Sequence, residues 1–99
     1  MTKKKKPVLE ISKVLTLSTA HIRQLNVRWL EQWSKHDSNA PLIVYAKDGG
    51  WFIDTTAWSG YITPELRQLL SLARRHGCAW LVLDKDGPTV DNLPVFKWD

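Results

Sequence analysis

Ninety-nine residues, 43% of them hydrophobic, can bury one core and are too apolar for a disordered chain. The net charge is +4, and Lys3, Lys4, Lys5 and Lys6 account for all of it, so the basicity belongs to the start of the chain. One cysteine, Cys78, excludes an internal disulfide and a cysteine-rich zinc site, and no apolar stretch reaches membrane-span length. With no signal-type apolar segment after the lysines, a soluble cytoplasmic protein is expected, with no membrane partner.

Residues 1–7 read as a disordered basic tail and residues 8–99 as a single domain. Val8 to Ser12 is a lead-in. Val14 to Leu17 is rich in β-branched and apolar residues and predicts the first strand. Ser18 or Thr19 can cap a helix at once, and Asn26 can cap a later start. From Val27 to about Lys35 the spacing is helical, with Ile22, Leu25, Trp29 and Trp33 on one face. His36 to Pro41 is a polar loop.

Leu42 to Ala46 is apolar with almost no alternation, which predicts a central strand. Lys47-Asp48-Gly49-Gly50 is a hairpin turn, and Trp51 to Thr55 returns as the partner strand. Thr63, Pro64 and Glu65 form a helix start: a cap, a first-position proline and an acid at the positive end of the dipole. Leu66, Leu69, Leu70 and Ala73 make the apolar stripe of that helix, and Gly77 ends it. Cys78 to Leu83 carries no charge and predicts a strand covered on both faces. Asp84 to Pro88 is a turn, and Leu93 to Trp98 can add a short last strand.

The expected fold is therefore α+β. Two helices pack on one face of a mainly antiparallel sheet in the order β-α-β-β-α-β, with an optional final strand, the element order of ferredoxin-like folds. Six tryptophans are many for this length. Trp29, Trp33 and Trp80 are expected in the core. Trp51 and Trp58 flank the hairpin strand; the core is the commoner place for both, and they are the aromatic candidates for binding a partner if exposed.

The sequence offers chemistry in two places. Asp84, Asp86 and Asp91 cluster around a turn, and carboxylates at such spacing can share a hard cation. His21 follows the first strand, where a general base can sit. Both have commoner explanations: Asp-x-Asp-Gly is ordinary turn chemistry, and a histidine at a helix start usually bonds to backbone. LVLDKDGPTV resembles the hhhDxDGT motif of haloacid-dehalogenase-type phosphatases, but Pro88 breaks the Gly-Thr step and 12 residues follow Gly87. The EF-hand spacing is not met, and Gly49-Gly50 joins two strands instead of opening a helix, so no phosphate loop is read. No catalytic or metal residue is assigned, and no cofactor is expected. Lys3 to Lys6 can attract nucleic acid through its phosphates, without sequence specificity.

Two stretches, Val14–Ile22 (VLTLSTAHI) and Gly77–Trp98 (GCAWLVLDKDGPTVDNLPVFKW), carry a resemblance. As a pair they resemble a small family of uncharacterised proteins carried on bacterial plasmids, prophages and genomic islands. That family shares an STAHI-type start and a GC-x-W-L-x-x-D-x-D-G…LP ending. The likeness spans most of residues 14–98. It implies an accessory gene of a mobile element and brings no known activity, although Ser18, His21, Asp84 and Asp86 are motif positions. The expectation for function is a small non-enzymatic interaction or regulatory protein, with another protein as partner and inhibition of a host defence complex as one role. The alternatives are a small metal-dependent hydrolase acting on nucleotides or nucleic acid through Asp84, Asp86 and His21, and a nucleic-acid accessory binding through its lysines and the Trp51 hairpin.

Overall fold

The computed structural model describes residues 8–35 and 39–98. Lys3 to Lys6 and His36 lie outside them. The elements are β1 (Lys13–Ser18), α1 (Leu25–Trp33), β2 (Leu42–Lys47), β3 (Gly50–Trp58), α2 (Pro64–Arg75) and β4 (Cys78–Asp84). A 3₁₀ turn, Thr19–His21, separates β1 from α1. The α+β class and the β-α-β-β-α-β element order are as expected.

The four strands lie in the order β1-β4-β3-β2. The β2–β3 and β3–β4 pairs are antiparallel, and β1 joins β4 in parallel. Parallel neighbours need a crossover, and here the whole α1–β2–β3–α2 segment supplies it. The strand Leu42–Lys47, expected to be central, is an edge. Its burial alternates, with Leu42 and Val44 inside and Ile43 and Tyr45 outside.

Both helices lie on one side of the sheet. Leu30 of α1 and Leu66, Leu69 and Leu70 of α2 meet Leu17, Val44, Trp51, Ile53, Leu81 and Leu83 in one buried cluster. The strand residues alternate, as period-2 geometry requires, so their neighbours in sequence face the other way. Gly50 is fixed by close approach: a Cβ there would stand 1.7 Å from the Leu83 carbonyl oxygen, so only glycine lets β3 and β4 begin their pairing.

Helix α2 begins and ends as its sequence dictates. Thr63 Oγ1 accepts the Leu66 N–H at 3.4 Å, Pro64 occupies the first turn, and Gly77 takes φ +73° after the last one. Beneath the cap lies a closed polar cluster. Glu65 is 7% exposed. It accepts from Arg23 Nε at 2.7 Å, Arg23 Nη2 at 3.2 Å and Asn26 Nδ2 at 2.9 Å. Thr63 Oγ1 donates to Asn26 Oδ1 at 2.7 Å. Burial alone would push the Glu65 carboxyl up; the hydrogen bonds from the Arg23 side chain, from backbone N–H groups and from Asn26 outweigh it and hold the carboxyl at about 2. The same side-chain hydrogen bond raises the Arg23 guanidinium.

Leu93 to Trp98 does not form the optional last strand. One backbone bond, Phe96 N–H to Ala20 C=O at 2.8 Å, is too little for a ladder. Pro94 offers no N–H there, and side chains attach this segment instead.

Candidate interaction surface

His21 and Ser18 both tie the end of β1 to residues 88–94. His21 is 1% exposed. Its Nε2 accepts the Val90 N–H at 2.9 Å, so Nδ1 carries the proton and donates to the Pro94 C=O at 2.8 Å. Ser18 Oγ accepts the Ala20 N–H, and the Ser18 N–H donates to the Pro88 C=O at 2.8 Å. Trp98 Nε1 donates to the Ile22 C=O at 2.9 Å. The two motif stretches thus meet in space: residues 18–22 form the cradle and residues 88–98 the strap lying in it.

Asp84 is engaged on both oxygens. Oδ2 accepts from Lys47 Nζ at 2.6 Å, and Oδ1 accepts the Asp86 N–H at 2.9 Å, which closes the turn. The Lys47 hydrogen bond, helped by the Asp86 N–H, holds the Asp84 carboxyl below its usual value. Asp86 and Asp91 are exposed. Among the described residues, no group of three or more His, Cys, Asp or Glu side chains could hold a metal ion.

The structure divides the tryptophans between core and surface. Trp51 turns inward and is 9% exposed, so it serves the core. Trp58 is half-buried, with the Arg74 guanidinium 5.1 Å from its ring centroid. Trp29, expected in the core, is 48% exposed. Trp80, also expected in the core, is half-buried on the sheet face that neither helix covers.

That open face is where the structure gathers surplus apolar surface. Register places Val14 beside Trp80, and Val82, Phe52 and Tyr45 in one row across β4, β3 and β2. The Tyr45 and Trp80 rings are 6.0 Å apart. Val14, Tyr45, Phe52 and Trp80 line one shallow concavity of about 310 Å³. Val14 and Tyr45 are close to half exposed and Phe52 is 37% exposed. Asp54 and the Lys47–Asp84 pair stand on the same face at its margin. The face thus has an apolar centre and a charged rim.

Residues 14–98 match the model described as the family of unknown function (DUF5983) C-terminal domain. The chain belongs to this family. No curated protein and no solved structure matches the chain. Membership of the DUF5983 family brings no activity with it, and the matched span runs from the first residue of the open-face row, Val14, to the last residue of the strap, Trp98. No helix among the described residues is long and apolar enough to cross a membrane.

Proposed function

We propose that this domain is a non-catalytic interaction module that docks a partner protein on the open face of its sheet. The observation that carries the proposal is the uncovered row of Val14, Tyr45, Phe52 and Trp80 on a rigid four-stranded scaffold. Aromatic side chains at the centre of a patch supply most of the binding energy of such interfaces, and the charged margin excludes wrong partners. A hydrolase is a poorer fit. Both ring nitrogens of His21 and both carboxylate oxygens of Asp84 are engaged in holding the chain together. On this proposal the protein is a small regulatory or inhibitory component, acting for example on a host defence complex. The paired Ser18–Ile22 and Gly77–Trp98 motifs, which resemble those of plasmid, prophage and genomic-island proteins, support placing it in a mobile element.

The test is site-specific photocrosslinking in the native host. A photoreactive residue replacing Phe52 on the open face, or Arg67 on exposed α2, separates the two sides of the molecule. Crosslinks to one discrete protein at position 52 but not 67, lost on adding Tyr45→Glu, are the expected result. Equal labelling from both positions overturns the proposal. So does salt-dependent binding of single-stranded nucleic acid that is lost in Tyr45→Glu, because base stacking on the same rings would then be the face's role.

A further inference from the structure

On the helical side, away from the open face, a second site is built around the Arg23–Glu65 pair. A cleft of about 650 Å³ lies between α1 and the loop leading into α2, lined by Arg23, Trp29, Trp33, Pro41, Tyr61 and Thr63 among others. Small-molecule sites occupy roughly 300–1,000 Å³ and combine aromatic walls with a few fixed polar groups. This cleft has both. Trp29 and Trp33, one helical turn apart, stack with centroids 6.0 Å apart and planes at 29°. Trp29 is 48% exposed and Tyr61 74%, so two of the walls present ring surface to solvent that packing does not use.

The polar part is held by the floor. Glu65, Asn26 and Thr63 are all buried and satisfy one another, and Glu65 takes Nε and Nη2 of Arg23. A buried ion pair is often no more stabilising than apolar packing of the same volume, which leaves positioning as a role for this carboxylate. What it positions is Arg23, which is 47% exposed and whose Nη1 has no partner among the described residues. A guanidinium gripped along one edge offers its remaining N–H donors in a fixed plane, and that plane suits a carboxylate. Glu65 offsets the charge of Arg23, so recognition falls to the directed N–H donors, and a dianion such as a phosphate monoester is disfavoured more than a monocarboxylate.

We propose that this cleft binds an aromatic monocarboxylate, its ring against Trp29 and Tyr61 and its carboxylate on Arg23. The same chemistry comes from a free aromatic acid or from the carboxyl-terminal aromatic residue of a peptide. Indole-3-acetate and N-acetyl-Gly-Trp are probes for the two sources, read from the tryptophan indole N–H signals of the whole chain by NMR titration. At least one of them should bind and shift the Trp29 and Trp33 signals, and the tighter one identifies the source. Replacing its carboxylate by an amide should weaken binding about tenfold, the scale of one charge-assisted contact. Trp29→Ala and Tyr61→Ala, with folding checked by the dispersion of the remaining signals, should weaken it by a similar factor, and Arg23→Lys should lose the preference for acid over amide. Absence of binding by both probes at millimolar concentration overturns the proposal. Equal affinity for acid and amide, or unchanged affinity in Trp29→Ala, overturns it as well.

Discussion

His21 accepts the backbone N–H of Val90 through Nε2 at 2.9 Å, across 69 residues of sequence. With its other nitrogen on Pro94, this one ring ties the carboxyl-terminal strap to the end of β1. His21→Ala would leave a part-buried N–H and a carbonyl without their partner and open a void. The expected cost is about 2–4 kcal/mol, from two lost hydrogen bonds and the packing of the ring. Urea unfolding should show it, and the amides of Val90 and Phe96 should exchange faster than those of β3. Unchanged exchange there would remove the strap's dependence on His21.

Glu65 makes stability depend on acid. Its carboxyl sits at about 2 in the folded chain against 4.5 as its ordinary value. A depressed folded-state value means that the unfolded chain binds the proton more tightly, so protonation favours unfolding. The contribution is complete above about pH 5 and is lost as pH falls from about 4.5 towards 2. It should amount to on the order of 2 kcal/mol, allowing for the screening of half-exposed Arg23. In Glu65→Gln the fall in urea midpoint between pH 6 and pH 3 should be shallower than in the parent chain. Parallel pH profiles would show that the ion pair is not the acid-sensitive element.

Trp80→Ala should be milder than a core deletion. A fully buried tryptophan costs about 3–5 kcal/mol when truncated, because a void remains. Trp80 has solvent on one side and the Tyr45 ring 6.0 Å away on the other, so water fills the space. About 1–2 kcal/mol is expected, with no loss of cooperativity. A cost above about 4 kcal/mol would show that the open face is closed in solution by a second layer.

The open apolar face leaves a trace in the sequence. Leu42 to Ala46 and Cys78 to Leu83 are apolar without alternation, which suggests strands covered on both sides. The described residues supply two α-helices, and both are used on one face. The alternate residues Tyr45, Phe52 and Trp80 are therefore surplus to the core. An apolar strand run with no helix left to cover its second face is the signal that would have found them. Trp51 flanks the hairpin, and period-2 geometry sends it inward with Ile53 and Thr55. The partners of the His21 and Asp84 side chains are backbone and lysine atoms far along the chain or across a turn, which spacing does not reveal.

By itself the sequence determined what is local. Thr63 and Pro64 start α2, Gly77 stops it, Gly49 turns the hairpin, and helical or strand spacing sets the class of each element, because these choices rest on φ, ψ and bonds within a few residues. Only the tertiary structure decided that β4 lies between β1 and β3, that Leu42–Lys47 is an edge, and that residues 88–98 are a strap and not a strand. It also decided that Arg23, Asn26, Thr63 and Glu65 share one buried cluster under a cleft. Those outcomes depend on which of several apolar surfaces find each other, and one-dimensional spacing carries no record of that competition.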